Sequence, residues 1–318
     1  DEGALEKNLK ILNGVQEKSG AKILLALKAF SMFSLSPLIN KYLVGTCASG
    51  LHEARLGYEE FGGKDLGQEV HTFSAAYTEH DLEEIMAISK HVVFNSFGQW
   101  ERFKENAKRA KQARPDLEFG LRINPLHSEG TTAIYDPCAP GSRLGIPRSA
   151  FETRNLKGIS GLHFHTLCEQ GFDALDRTLT EIEKQFADIL PKLEWINFGG
   201  GHHITHPDYD VDALIERIKA FQERYQLQVY LEPGEAIAIH TGVLVSEVLD
   251  LTYNTIDLAI LDTSATCHMP DTLEMPYRAD IFGAGGSDEF TYNYRLGGQT
   301  CLAGDVVGDY SFPEPLSL

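Results

Sequence analysis

The 318-residue chain has few basic residues and no apolar run long enough to cross a membrane. Its 28 Lys and Arg residues stand against 46 Asp and Glu residues, which gives a formal net charge of -18. This deficit argues against nucleic-acid binding, because such proteins need clustered cations to displace the counterions of phosphates. An acidic surface is compatible with a cationic substrate, although it more often only serves solubility.

Cysteine is also scarce: the five residues are Cys47, Cys138, Cys168, Cys267 and Cys301. They are odd in number and contain no C-x-x-C pair, so neither a disulfide framework nor a thiolate zinc site is expected. The reducing cytosol is therefore the expected compartment. No signal-peptide pattern opens the chain. Because the first residue is Asp1, we expect that an initiator segment is missing.

The hydrophobic content of 42% is ample for one large barrel or two ordinary domains. Helical periodicity separates short apolar runs, most clearly over 80–88, 173–190 and 210–225, and Thr78 with Asp81 forms an N-terminal capping pattern. Eight strand and helix alternations predict an α/β fold, a (β/α)8 TIM-type barrel over residues 1–236. The eight predicted strands are 23–28, 42–44, 70–73, 92–94, 119–123, 162–165, 195–198 and 229–231.

The pattern changes after residue 236. The runs 243–249, 256–261 and 290–296 have β character, without amphipathic helices between them. We therefore predict a C-terminal all-β domain over 237–318. The chain stops shortly after residues 312–315, so we expect this domain to be incomplete.

Lys28 ends the most apolar run of the chain, 23–28. Active sites of such barrels lie at the carboxyl ends of the strands. Burial of an amine there would disfavour its charged form and leave a nucleophile toward carbonyls. The alternative is a lysine that merely extends to solvent, as most do.

Two further strand ends carry glycine and a carboxylate. Gly199, Gly200 and Gly201 would let backbone N–H groups approach an anion, although a tight turn explains glycines equally well. Glu232 ends the eighth apolar run, and a buried carboxylate needs a cationic partner. It is therefore either part of a structural ion pair or a group that keeps a heteroaromatic nitrogen protonated.

His163 and His165 are two apart and are predicted to share one face of a strand. Together with His202, His203 or His206 they could ligate zinc. Alternatively they form a hydrogen-bonded pair, or one imidazole stacks on a flat cofactor ring. An amine, an anion cradle, a carboxylate and a stacking imidazole are together what pyridoxal 5'-phosphate requires, so this cofactor is predicted.

The chain resembles the alanine-racemase-like, fold-type III pyridoxal phosphate-dependent decarboxylases over nearly its whole length, and within them the carboxynorspermidine (carboxyspermidine) branch. The resemblance implies decarboxylation of carboxynorspermidine or carboxyspermidine to norspermidine or spermidine in polyamine biosynthesis, by a homodimer with shared active sites. It rests on the motifs at 25–30, 161–169, 197–203, 231–236, 262–271 and 298–305.

The same resemblance implies residue roles. It assigns covalent binding of the cofactor aldehyde to Lys28, ring stacking to His165, the phosphate to Gly199–Gly201, the pyridinium nitrogen to Glu232, and the phenolic oxygen to Arg143. Cys301 matches a cysteine that reaches across a dimer interface and returns a proton to the product carbon.

Four acids are candidates for the polyamine tail of the substrate. Asp271 matches a carboxylate that meets the distal amine in related basic amino acid decarboxylases. Asp305, Glu274 and Glu169 are further candidates, and solvated surface acids are the alternative for at least one of the four.

Two departures separate the chain from other decarboxylases of this fold. Glu235 stands where ornithine and lysine decarboxylases carry arginine, and 166–169 replaces their phosphate loop. Both argue against the rival substrates ornithine, lysine, arginine and diaminopimelate. A metal-dependent barrel hydrolase and a non-catalytic pyridoxal phosphate carrier are the remaining alternatives. Such carriers lack a second β domain and its cysteine.

Overall fold

The structure, a computed structural model, describes residues 1–130, 132–151, 155–275 and 277–318. The chain divides into two compact units, Asp1–Gly242 and Val243–Leu318. Residues 237–241 belong to the first unit because they are bound to its N-terminal helix: the Asn8 amide donates to the carbonyl oxygens of Ile237 and Ile239, both at 3.1 Å. The boundary between the two units therefore lies after Gly242, six residues later than the predicted boundary at 236.

The first unit is a closed barrel of eight parallel strands, as predicted. The strands follow the chain order, and β4 pairs with β5 to close the barrel. The short strand β6, Ile146–Pro147, adds to the end of β5. The barrel strands are β1 Lys22–Ala26, β2 Gly45–Ala48, β3 Glu69–Phe73, β4 His91–Phe94, β5 Glu118–Asn124, β7 Gly161–His163, β8 Trp195–Asn197 and β9 Gln228–Leu231.

Helices surround the barrel. The Thr78 side chain caps α4 by accepting the Asp81 N–H, as the sequence predicts. Four 3-10 helices complete the described elements of this unit: Phe33–Leu35, Ala133–Tyr135, Arg148–Phe151 and Leu190–Lys192. The α-helices are α1 Glu2–Ser19, α2 Ser36–Ile39, α3 Leu51–Glu59, α4 Glu79–Ile88, α5 Phe97–Ala113, α6 Phe172–Phe186, α7 Val211–Tyr225 and α8 Glu235–Ala238.

Two details of the predicted alternation are wrong. The second strand is β2 and not 42–44, because Tyr42 instead contacts α1 through a 2.6 Å hydrogen bond from its hydroxyl to Glu6. Glycine is required at position 45, the first residue of β2, because a Cβ there would lie only 1.9 Å from the Glu69 carbonyl oxygen. Between β5 and β7 the described residues form 3-10 turns and β6 instead of an α-helix.

The middle of the barrel is filled by Trp195, which is 2% exposed. Glycine on two neighbouring strands makes the room: a Cβ at Gly161 would lie 2.0 Å from the indole, and one at Gly120 would lie 2.4 Å from it. The ring of His91 stacks on Trp195 with centroids 4.3 Å apart. The barrel is therefore a packed core whose open space lies beyond the strand ends.

The second unit contains a four-stranded sheet of order β10-β11-β12-β13. The strands β11 and β12 are parallel and the outer pairs are antiparallel. Two four-residue helices, α9 Ala265–His268 and α10 Asp271–Glu274, lie between β11 and β12 of this predicted β domain. The strands are β10 Val248–Asn254, β11 Ile256–Leu261, β12 Tyr292–Gly297 and β13 Val306–Phe312.

Among the described residues, no helix combines the length and the apolar character that crossing a membrane requires.

Candidate active site

Two cavities meet at the carboxyl ends of the barrel strands. The inner cavity, of about 50 Å³, is lined by Lys28, Cys47, Phe73, Arg122, His163, His165 and Glu232 among others. The outer cavity, of about 560 Å³, shares Lys28, Arg122 and His165 with it. The structure therefore brings together four of the residues singled out from strand ends: Lys28, His163, His165 and Glu232.

Lys28 lies in the turn that follows β1. The turn is closed by hydrogen bonds from the N–H groups of Ala29 and Phe30 to the Ala26 carbonyl oxygen, at 3.1 and 3.3 Å. Lys28 is exposed, so the expected desolvation of its amine is not found within this chain. Its position at both cavities leaves the amine accessible to a ligand.

Glu232 is a carboxylate whose side chain is 13% exposed, and it accepts hydrogen bonds from two neighbouring side chains. Its Oε1 accepts the Asn197 amide at 2.7 Å, and its Oε2 lies 3.1 Å from His163 Nε2. Burial alone would raise the pKa of Glu232, but His163, followed by His71 and His165, outweighs it and holds that pKa at about 2. The group is therefore an anion at neutral pH.

His163 is the partner that fixes this carboxylate. Burial lowers the pKa of His163, so its imidazole is neutral at neutral pH. Its Nδ1 is buried without a hydrogen-bond partner among the described residues, which favours the tautomer with the proton on Nε2. His163 therefore donates to Glu232. On its other side the ring stacks on Phe73, with centroids 5.4 Å apart.

His165 lies just past β7 and not on it, but it lines the inner cavity together with His163, as their spacing of two residues predicts. Its Nδ1 accepts the Gly200 N–H at 3.1 Å, which fixes the ring at the cavity. Burial and the positive charge of Lys28 hold the pKa of His165 well below its usual value. The neutral imidazole of His165 and the amine of Lys28 therefore line the same two cavities.

The glycines 199–201 are required by close packing. A Cβ at Gly200 would lie 2.0 Å from the Glu232 carbonyl oxygen, and one at Gly201 would lie 1.9 Å from that of Leu167. Their N–H groups are partly engaged: that of Gly199 donates to Asn197 Oδ1 at 2.8 Å, and that of Gly200 to His165. The close contacts and the engaged N–H groups of Gly199 and Gly200 agree with the alternative that these glycines serve a tight turn. Their role at a phosphate stays a prediction.

Arg122, on β5, is a site residue that the sequence reasoning missed. It is 5% exposed, and its guanidinium lies 4.6 Å from the centre of the Phe73 ring and donates to the His165 carbonyl oxygen at 3.1 Å. Burial lowers the pKa of Arg122 to about 10, so it remains charged. Arg143, the arginine assigned by resemblance, is exposed at the rim of the outer cavity.

The histidines proposed as zinc ligands have separate partners. His202 Nδ1 lies 2.6 Å from the Tyr209 hydroxyl, and His203 Nε2 lies 2.9 Å from Glu235. Within the part of the chain that the structure describes, no group of three or more His, Cys, Asp and Glu side chains is arranged to hold a metal ion. The geometry therefore gives the metal-hydrolase alternative no support.

The remaining candidates lie elsewhere. Glu169 is exposed on the loop after β7. In the second unit, Cys301, Asp271 and Glu274 are exposed, whereas Asp305 is 4% exposed and bonded to neighbouring side chains and backbone.

Comparison with known proteins gives a consistent result, although no family model matches the chain. A carboxynorspermidine/carboxyspermidine decarboxylase of Campylobacter jejuni is 42% identical, over 100% of this chain and 83% of that protein. A carboxyaminopropylagmatine decarboxylase of Synechocystis is 43% identical, over 100% of this chain and 80% of that protein. The crystal structure of C. jejuni carboxynorspermidine decarboxylase complexed with norspermidine matches with a TM-score of 0.85 at 41% identity, over 99% of this chain and 83% of that one.

The chain belongs to the carboxynorspermidine/carboxyspermidine decarboxylase family. This confirms the resemblance found in the sequence, and the family is one of fold-type III decarboxylases, which are pyridoxal phosphate-dependent. The two departures from the ornithine and lysine enzymes have local explanations in the structure. Glu235 is paired with His203, and Thr166 in the 166–169 loop is buried.

The cavity fits the cofactor of this decarboxylase family. A pyridine ring with an aldehyde and a protonated nitrogen needs an accessible amine, a carboxylate held in its ionised form, and a flat neutral group. Lys28, Glu232 and His165 have these properties and line one cavity. Arg122 adds a fixed positive charge on the same wall.

Proposed function

We propose that this protein is a decarboxylase that converts carboxynorspermidine and carboxyspermidine to norspermidine and spermidine with pyridoxal 5'-phosphate. The observation that carries the proposal is the ionised Glu232 in the same cavity as Lys28 and His165. The similarity of the whole chain to decarboxylases of these substrates supports the substrate class.

When bound, the cofactor supplies an electron sink that accepts the electron pair released as carbon dioxide leaves. The chain contributes the residues that would hold it: Lys28 would bind the aldehyde, Glu232 would keep the pyridine nitrogen protonated, and His165 would stack on the ring. Asn197 and His163 keep Glu232 oriented and anionic, because each donates to one of its oxygens. Arg122 is proposed in addition to Arg143 as a positive group near the cofactor oxygens.

Cys301 is the proposed group that returns a proton to the product carbon. It is exposed within its own chain, which supports a role toward a neighbouring subunit, and we propose a homodimer with shared active sites. The chain has five cysteines, an odd number, and no C-x-x-C pair, which supports a cytosolic location.

The substrate tail carries positive charge, and acids of the chain are its proposed partners. Asp271 and Glu274 share the short helix α10 and are exposed, as a site for a distal amine requires. Glu169 is a further candidate on the barrel loop. The high net negative charge of the chain supports attraction of a polycation.

A substrate panel tests the proposal. Carbon dioxide release is measured with carboxynorspermidine, carboxyspermidine, ornithine, lysine, arginine and diaminopimelate, with and without added cofactor. We expect release from the two carboxy-polyamines only, and only with cofactor bound. Preference for one of the four amino acids would contradict the proposed substrate class.

Carboxyaminopropylagmatine is a second candidate substrate, because a decarboxylase of that compound is 43% identical to the full chain. It belongs in the same panel. A kcat/KM for it that exceeds those of both carboxy-polyamines would move the assignment to this substrate while leaving the reaction unchanged.

A further inference from the structure

Asp305 is a buried carboxylate that accepts hydrogen bonds from several segments of the second unit. Its Oδ2 accepts the Thr300 hydroxyl at 2.7 Å and the Ser264 hydroxyl at 2.9 Å, and its Oδ1 accepts the Thr266 N–H at 3.2 Å. These donors are neutral. Burying a carboxylate is costly unless its oxygens are well satisfied, so the donors must converge on one point.

The loop 298–304 is bound to Asp305 on both sides of Cys301. Before Cys301, the Thr300 N–H donates to Oδ2 at 3.3 Å and the Gly298 N–H to the Asp305 carbonyl oxygen at 3.0 Å. After it, the Leu302 carbonyl oxygen accepts the Asp305 N–H at 3.0 Å. Cys301 itself is exposed at the tip. One buried residue thus anchors both flanks of an exposed thiol.

The same carboxylate joins this loop to α9. Ser264 donates to Asp305 and accepts the Cys267 N–H at 3.2 Å, which caps α9. The chain then continues into α10, which carries Asp271 and Glu274. A Cβ at Gly298 would lie 2.4 Å from Asp305 Oδ2, so glycine is required for this close approach. The spacing between the Cys301 loop and the start of α9 is therefore set through Asp305.

We infer that Asp305 is a positioning residue, which acts in turnover by holding the Cys301 loop in place and does not bind the substrate amine. The inference rests on the proposed function, in which Cys301 is the proton donor. Asp305 was one of four acids named from the sequence as candidates for the polyamine tail, and this inference gives it a different role.

The test is the Asp305→Asn variant, in which an amide NH2 replaces one acceptor oxygen. We expect kcat to fall at least about 10-fold with an unchanged KM, since a displacement of about 1 Å at a reacting group costs up to about 100-fold. Independently of activity, we expect amide exchange of 298–304 to rise by at least about 10-fold. The alkylation rate of Cys301, mapped by peptide mass spectrometry with Cys168 as internal reference, should change as well.

A double-mutant cycle separates positioning from general stability. In a Cys301→Ala background, Asp305→Asn should cause no further loss of kcat, because the two residues act as a unit. Asp309→Asn is the matched control, since it breaks an exposed pair with Arg295 in the same sheet and should leave kcat and loop exchange unchanged. Thr300→Val removes a single donor to Asp305 and should give the same direction of change if Asp305→Asn does not fold.

Three results would overturn the inference: full kcat in both Asp305→Asn and Thr300→Val, unchanged exchange of 298–304, or losses that multiply in the double variant. Failure of the proposed function can be distinguished from failure of the positioning role of Asp305. In that case the wild type releases no carbon dioxide from any substrate of the panel, whereas loop exchange and Cys301 alkylation still show whether Asp305 holds the loop.

Discussion

His163 Nε2 lies 3.1 Å from Glu232 Oε2, and burial keeps this histidine neutral while the carboxylate stays ionised. Glu232 is thus an anion whose two oxygens are held by hydrogen bonds from Asn197 and His163. Such a carboxylate can hold a proton on a basic ring nitrogen, because its own proton affinity is low. The hydrogen bond from His163, a buried residue of the barrel, thus supports the ionised state that the cavity needs at Glu232.

Acid should destabilise the protein partly through Glu232. Its pKa is about 2 in the folded state against an ordinary value of 4.5, so below 4.5 the unfolded chain binds more protons. Stability from this group is present above pH 4.5 and is lost as pH falls toward 2. The free energy of unfolding of Glu232→Gln should therefore depend less steeply on pH in this window than that of the wild type. The exposed Glu235→Gln serves as control, and parallel curves for wild type and Glu232→Gln would refute the assignment.

Arg122 should matter more than Arg143. Arg122→Lys loses the planar contact with Phe73 and the bond to the His165 carbonyl oxygen, so kcat/KM and cofactor affinity should each fall at least about 10-fold. Arg143→Lys, on the exposed rim, should change both by less than about 3-fold, as expected for a solvated charge. Steady-state kinetics and cofactor titration measure both variants, and the reverse ranking would restore the assignment made by resemblance.

Gly161 should not tolerate a side chain. Because a Cβ there would lie 2.0 Å from Trp195, Gly161→Ala should reduce the free energy of unfolding by at least about 2 kcal/mol. Gly14→Ala in α1 is the matched control: a Cβ there meets nothing within 4 Å, so this variant should gain about 0.5–1 kcal/mol. Denaturant unfolding measures both. Equal stabilities of wild type and Gly161→Ala would contradict the described packing of the barrel.

The barrel could be predicted from the sequence because its strands are short apolar runs and most of its helices are strongly periodic. The position of β2 could not be predicted. Gly45 is required there by the close approach of β3, and Tyr42, in the more apolar run 42–44, contacts a helix instead. The last strand of the sheet, β13, also escaped prediction. It mixes Gly308, Asp309 and Ser311 with apolar residues, and its pairing with β12 decides its structure.

Lys28, His165 and Glu232 could be found from the sequence because each ends or follows an apolar strand, and such ends converge in a barrel. Arg122 could also have been found from the sequence, because it is a charged residue inside the apolar run 119–123. Asn197 was harder to find, because only the fold shows that its amide bridges Glu232 and the Gly199 N–H. Asp305 could be recognised as buried only once Ser264, Thr266 and Thr300 were seen around it.

Mapping of the cofactor to one lysine tests the central claim most directly. The protein with bound pyridoxal 5'-phosphate is reduced with borohydride, digested and analysed by peptide mass spectrometry, beside Lys28→Ala and the control Lys22→Ala, whose lysine pairs with Glu69 at the other end of β1. We expect a single adduct on Lys28 in the wild type and in Lys22→Ala, and no adduct, visible cofactor absorbance or carbon dioxide release in Lys28→Ala. An adduct on another lysine, or an active Lys28→Ala variant, would contradict the account.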